Sequence, residues 1–212
     1  MSGEDPRELL RRAVRASLHD RRVCDAFLDV PRELYVAEGC QPWAWEDRSL
    51  PLAEGATISQ PTLVALMTEA LEPQPDDTML DVGTGSGYQA AVLGRLVRRV
   101  FGIELRAALA HRARENLSRD RAIRARIELV IGDAWRGFPG RLCFDGIVVA
   151  AAVPRVPPAL VEQLAPGGRL LAPVGWAGHQ ELVRLRRRAD GSLAEEALGG
   201  CAFVPLVEGA RR

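Results

Sequence analysis

Residues 80–88 read LDVGTGSGY, and the spacing of their glycines decides how the rest of the chain is read. Gly83, Gly85 and Gly87 follow the short apolar run TMLDV (78–82) and precede a helical pattern from Gln89 to Val97. A glycine turn between a strand and a helix lets the backbone reverse tightly and approach a ligand closely. The spacing is G-x-G-x-G, not the G-x-G-x-x-G of dinucleotide folds, so a nicotinamide cofactor would find its third glycine misplaced. Asp81 stands just ahead of the first glycine. Its carboxylate would repel a pyrophosphate and attract a cation.

Two further acids end the next two strands. RRVFGIEL (98–105) carries Glu104, 17 residues beyond Gly87, where a carboxylate can take both hydroxyls of a ribose. RIELVIGDA (126–134) carries Asp133, which could accept from an adenine amino group. Residues at the carboxyl ends of strands in an open sheet face its ligand crevice. Three acids at three consecutive strand ends suit a nucleoside bearing positive charge in place of phosphate. S-adenosyl-L-methionine, with its sulfonium and ammonium, is such a ligand.

The strand–helix alternation continues beyond them. Ala107 to Asp120 reads as a helix with Glu115 and Arg119 in ion-pair register. FDGIVVAAA (144–152) is an unbroken apolar run, as a doubly covered strand requires. Pro158 to Leu164 reads as a short helix and GGRLLAPVG (167–175) as a fifth strand. HQELVRLRR (179–187) alternates as an edge strand would, and CAFVPLV (201–207) reads as a last strand whose Pro205 fits an edge or bulge. The pattern predicts an α/β fold: a doubly wound, seven-stranded, mostly parallel Rossmann-like sheet with a terminal β-hairpin and N-terminal helices.

On the amino-terminal side, Asp5, Pro6 and Glu8 form a helix start signal, and a second helical piece runs near Arg21 to Leu28. VPRELYV (30–36) follows, then a stretch from Glu38 to Gln60 with no clear period. Loops of that length are uncommon in compact domains unless they act on something. Tyr35, Trp43 and Trp45 suit either a loop that closes over a substrate or anchors that pin it, and Glu46-Asp47-Arg48 reads as a local ion-pair and turn cluster. GATISQPT (55–62) leads into a helix from Pro61 to Leu71. Ser59 within it is either the cap of that helix or a hydroxyl turned to a substrate.

Bulk properties exclude several classes. The 212 residues hold 28 basic and 28 acidic side chains, which leaves no electrostatic footprint for nucleic acid or an anionic membrane. All 28 basic residues are arginine, which excludes Schiff-base chemistry and a phosphate-loop lysine. Four scattered cysteines and three scattered histidines (His19, His111, His179) give no metal spacing. No apolar run reaches transmembrane length and MSGEDPREL lacks the apolar core of a signal peptide, so a cytoplasmic location is expected; a monomer is expected as well. The chain reads as one domain, with N-terminal helices and a substrate loop over 1–60, a cofactor core over 61–175 and terminal strands over 176–212.

GATISQP, VPRELYV, WEDRSLPL, LDVGTGSGY, FDGIVVAAA with VPP, LAPGGRLLAPVG and FVPLV occur here in the order and spacing of the protein-L-isoaspartate O-methyltransferases, which the chain resembles from about residue 29 to 209. The glycine motif is common to most class I methyltransferases, whereas ATISQP and FVPLV are specific to this family. The resemblance implies a repair enzyme with a methyltransferase sheet. It would transfer a methyl group from S-adenosyl-L-methionine, leaving S-adenosyl-L-homocysteine, to the free α-carboxylate of isoaspartyl residues in proteins. The ester would then cyclise to a succinimide. It also implies that Ser59 is the active-site serine and that the Thr57–Ser59 backbone, Asp81, Gly83 and Gly85 lie against the cofactor. Glu104 would be the ribose acid, Gly132–Asp133 the adenine contact and Val207 the cofactor-edge residue, with Ile58, Thr84, Gly87 and Leu105 completing the site. Three positions depart from family habit: Ala150, Arg155 and Ala202 stand where relatives carry threonine, glutamate and arginine.

The chemistry agrees with that residue set. An α-carboxylate has a pKa of about 3.5, is ionised at neutral pH and needs no general base to act as a nucleophile. Alignment is what remains, and positioning can supply roughly 7–11 kcal/mol. IsoAsp and Asp differ in where one methylene sits, worth only about 1–3 kcal/mol in an apolar pocket, so stronger selection needs backbone pairing with the substrate. The same scaffold would also serve another carboxylate substrate, or a protein that binds S-adenosyl-L-methionine without turnover.

Overall fold

The computed structural model describes residues 4–140 and 142–209. Helix α1 (Pro6–Ser17) starts as its sequence dictates, with the Asp5 carboxylate accepting from the Arg7 amide at 3.0 Å and Pro6 at the first position. Asp20 caps α2 (Arg21–Asp29) in the same way. Both helices bury an apolar face against the rest of the chain, through Leu10 and Val14 in α1 and Val23 and Phe27 in α2. The irregular stretch that follows is held by short turns and a two-residue antiparallel ladder of β1 (Leu50–Pro51) and β2 (Thr57–Ile58). Helix α3 (Pro61–Ala70) comes next.

The central sheet contains β3 (Thr78–Val82), β4 (Arg99–Glu104), β5 (Ile127–Ile131), β6 (Phe144–Val149), β7 (Leu164–Trp176), β8 (His179–Arg187) and β9 (Leu193–Cys201). Their order is β5-β4-β3-β6-β7-β8-β9, with β5 to β7 parallel and the last two antiparallel. Helices α4 (Tyr88–Leu96), α5 (Ala107–Ser118) and α6 (Pro158–Glu162) connect the parallel strands. Because β4 lies on one side of β3 and β6 on the other, the strand order reverses at β3, and the glycine turn leaves that switch point. Side chains alternate along β3: Leu80 and Val82 enter one apolar cluster, Met79 another, and Asp81 shares the face of Met79.

Three expectations are corrected. HQELVRLRR is not an edge: β8 lies between β7 and β9 and pairs along its length with both. CAFVPLV is not the last strand. The hairpin partner is Leu193–Cys201, whose largely exposed side chains and low-propensity Glu, Ala and Gly residues hide a strand made by backbone pairing alone. Residues 202–207 make one isolated bridge, Ala152 with Pro205, since proline has no amide to continue a ladder. Finally, Glu115 and Arg119 make no ion pair among the described residues, because α5 ends at Ser118 and Arg119 already caps it. Among those residues no helix is long and apolar enough to cross a membrane, and no cluster of three metal-ligating side chains is found.

Candidate active site

The glycine turn takes the backbone conformations that only glycine adopts freely, with φ of +75° at Gly83, +57° at Gly85 and +89° at Gly87. A Cβ at Gly87 would come within 3.2 Å of Leu117, so that glycine also lets α4 pack against α5. The turn is tied to the end of β4: the Gly83 amide donates to the Ile103 carbonyl at 2.9 Å and the Gly85 amide to Glu104 Oε2 at 2.9 Å. Glu104 Oε1 accepts from the Arg106 amide at 3.0 Å. Each oxygen of this buried carboxylate is thereby aimed and keeps a further lone pair.

Asp81 lies beneath the turn, wholly buried, and neither of its carboxylate oxygens has a hydrogen-bond partner among the described residues. The Thr84 hydroxyl donates to its carbonyl instead, at 3.0 Å. Burial, and then the nearby Glu104 charge, push the Asp81 pKa up to about 7. Asp133 is placed differently again. Its Oδ1 accepts from the Trp135 amide at 3.0 Å and its Oδ2 from the Gly209 amide at 3.1 Å, so it caps a short turn and ties down the carboxyl-terminal segment.

A narrow crevice of about 50 Å³ opens at the switch point. Of the residues expected there, Thr57, Gly83, Gly85 and Glu104 line it, as do Leu105, Gly132 and Val207. Ile58 and Thr84 border a smaller inner cavity together with Ser59, whereas Asp81, Gly87 and Asp133 line neither space. Residues 204–207 roof the crevice. They are strapped down by the Ala152 amide to the Val204 carbonyl and the Leu206 amide to the Ala152 carbonyl, both 2.8 Å, and by Trp135 Nε1 to the Leu206 carbonyl at 3.3 Å. Gln180 holds Phe203 through both its amide and its carbonyl.

Ser59 lines both the inner cavity and an outer groove of about 460 Å³, which Leu63, Leu66 and Phe203 also line. It does not cap α3. Asp47 does so, accepting from the Thr62 amide at 3.0 Å and from the Thr62 hydroxyl and Gln60 Nε2. The Ser59 hydroxyl has no hydrogen-bond partner among the described residues, while its carbonyl accepts from Arg32 Nη2 at 2.7 Å. Arg32 was not legible as part of the site, because an arginine inside VPRELYV gives no sign that it is buried. The aromatic residues of the loop divide: Tyr35 is buried against Tyr88, and Trp45 packs on the core with Arg7 stacked 4.5 Å from its ring, so both are anchors. Trp43 is half-exposed. Glu46 and Arg48 form the expected local pair at 2.6 Å.

The donor set fits a nucleoside that carries positive charge. Two buried carboxylates flank the glycine turn, one of them without a hydrogen-bond partner among the described residues, and the one arginine lining the crevice, Arg106, pairs with Glu54 at 3.6 Å. The strand order, the glycine turn and these acids define a class I, S-adenosyl-L-methionine-dependent methyltransferase fold. Comparison with known proteins narrows the class. A sequence profile of the protein-L-isoaspartate(D-aspartate) O-methyltransferases matches residues 6–211. The protein-L-isoaspartate O-methyltransferase of Halorhodospira halophila is 47% identical over 211 residues, covering 99% of this chain and 94% of its own. That of Methanoculleus marisnigri is 47% identical over 201 residues, covering 94% and 90%. A Plasmodium falciparum protein of the same description, crystallised with S-adenosyl-L-homocysteine, superposes with a TM-score of 0.85 at 24% identity, over 97% of this chain and all of that one, and shares the fold. The chain belongs to the protein-L-isoaspartate(D-aspartate) O-methyltransferase family.

Proposed function

We propose that this chain methylates the free α-carboxylate of L-isoaspartyl residues in damaged proteins, the step that starts their repair through a succinimide. The observation that carries the reading is Ser59, whose hydroxyl has no partner within the described residues and which lines both the inner cavity and the outer groove. When bound, S-adenosyl-L-methionine supplies an electrophilic methyl carbon on a sulfonium and leaves as S-adenosyl-L-homocysteine. The chain's own residues then have three tasks.

The first is to hold the nucleoside. Glu104 takes the ribose hydroxyls on the lone pairs left by Gly85 and Arg106. Gly83, Thr84 and Gly85 with Thr57 and Ile58 supply the backbone wall, Leu105 and Gly132 the base pocket, and Val207 its outer edge. Asp81 places negative charge behind the turn, Gly87 lets α4 start there, and Asp133 shapes the adenine side through its amide bonds. The second task is to aim the acceptor. Ser59 donates to one oxygen of the isoaspartyl carboxylate, a charge-assisted bond worth about 1.5–3 kcal/mol, and does not itself attack. The third is to keep the reacting groups away from bulk water, for which the 202–207 strap is placed.

This reading treats residues 1–60 as the acceptor side, 61–175 as the cofactor core and 176–212 as strands and cover, in a cytoplasmic monomer whose four cysteines are free thiols. The test is methyl incorporation from labelled S-adenosyl-L-methionine into an isoAsp peptide, with its Asp twin as control. Transfer to the isoAsp peptide alone is expected. Equal transfer to both, or to neither while the cofactor binds, would overturn the reading.

A further inference from the structure

The acceptor of the proposed reaction is an anion, yet no side chain lining the outer groove carries a charge. The cation nearest to Ser59 in the hydrogen-bond network lies one layer below. Arg32 is 0% exposed and forms no salt bridge among the described residues. Its Nε donates to the Ala44 carbonyl at 2.9 Å and its Nη2 to the Ser59 carbonyl at 2.7 Å, while Nη1 has no partner. Its guanidinium stacks 4.7 Å from the ring centroid of Tyr88, the residue that follows the last glycine of the turn. A buried charge without a carboxylate partner is costly, and a well-packed hydrophobe usually serves stability as well or better. Something other than packing accounts for the arginine.

We propose that Arg32 is a positioning residue for the acceptor: it fixes the Ser59 peptide from behind and supplies the positive charge that the groove itself lacks. The proposal rests on the isoaspartyl reading above. A guanidinium donating to the Ser59 carbonyl holds the backbone from which the Ser59 hydroxyl projects. The same bond polarises the Ser59–Gln60 peptide and offsets the negative charge of Asp47, whose carboxylate accepts from Gln60 and Thr62 on the groove wall. Both of Arg32's hydrogen bonds go to the 38–60 loop, and its link to the glycine turn is a face stack only. Loss of Arg32 is therefore felt by the acceptor more than by the cofactor.

The experiment compares Arg32→Met, Arg32→Lys and a control, Arg169→Met. Arg169 is also buried and bonded to backbone carbonyls, of Leu71 and Asp145, but borders neither crevice nor groove. For Arg32→Met the KM for an isoAsp peptide is expected to rise about ten- to hundredfold, the worth of a charge-assisted hydrogen bond, with S-adenosyl-L-homocysteine affinity within about threefold of wild type. Hydrogen exchange should quicken at residues 56–62 and not in β3 to β6. Arg32→Lys keeps the charge and should recover most of the acceptor KM, with a lower kcat because lysine cannot span both carbonyls. An unchanged acceptor KM, or a change that Arg169→Met reproduces, overturns the proposal. Should Arg32→Met fail to fold, Arg32→Lys carries the same readouts, and a wild-type kcat for it overturns the positioning role. If wild type does not methylate the isoAsp peptide, the functional reading falls and exchange decides: quickening confined to 56–62 supports the clamp, and its absence overturns it.

Discussion

At Ser59 the side chain and the peptide group are bound to different purposes. The carbonyl is taken by Arg32 and the helix start by Asp47, which leaves the hydroxyl without a structural partner. Ser59→Ala is accordingly expected to change the unfolding free energy by no more than about 0.5 kcal/mol while lowering kcat/KM for an isoAsp peptide about ten- to hundredfold. Urea unfolding and steady-state kinetics on one preparation check both halves, and a stability loss with full activity would return Ser59 to the role of a cap. At this scale the glycines and acids were legible because their spacing from a strand is itself the signal. The supports were not. Asp47 reaches Thr62 across 15 residues and Arg32 reaches Ser59 across 27, and only the folded loop brings those groups together. The direction of an acid was also hidden: Asp81 and Asp133 end their strands as expected but do not line the crevice.

The elements differ in how far local pattern determined them. Strand β3 and the starts of α1, α3 and α5 fell where the sequence placed them, by apolar period throughout, with proline at α1 and α3 and a legible cap at α1 alone. Strand β9 did not, since an exposed strand has no apolar alternation to read, and the 202–207 segment borrowed apolar residues for roofing a crevice. Asp47→Ala removes the α3 cap and should cost about 1–2 kcal/mol, read as a shift in the urea midpoint at unchanged slope. Gln180→Ala frees Phe203 from two hydrogen bonds, at 3.0 and 2.6 Å, and loosens the strap from its β8 end. Release of S-adenosyl-L-homocysteine, followed by stopped flow, should quicken several-fold, as loss of about 1 kcal/mol of net hydrogen bonding implies. An unaltered release rate would mean that Ala152 and Trp135 hold the strap unaided.

Across the whole molecule, alternation of strand and helix made the doubly wound sheet legible, whereas the order of its last strands was set by backbone pairing that leaves little mark in the residues. What the sheet does to Asp81 is a property of the entire fold, for among the described residues no carboxylate is more deeply buried than Asp81 in the central strand β3. Its pKa of about 7 in the folded chain compares with 3.8 for an unperturbed aspartate. The folded state therefore binds more protons than the unfolded state between those values, and stability contributed by this group falls as pH rises from about 4 to about 7, then levels. Between pH 5 and pH 8 the loss is about 2–3 kcal/mol. Asp81→Asn removes the titration, so the difference in unfolding free energy between variant and wild type should move by that amount over the same interval in the variant's favour. A cationic ligand reverses the balance, since positive charge near Asp81 favours the ionised form. S-adenosyl-L-methionine binding should thus release a proton below pH 7 and tighten as pH rises toward 7 in wild type, and lose that dependence in Asp81→Asn. Calorimetry in buffers of different ionisation enthalpy reads the proton directly. Identical pH profiles for the two proteins would show that the Asp81 carboxyl is already ionised in the folded chain and that its charge does not answer to the cofactor.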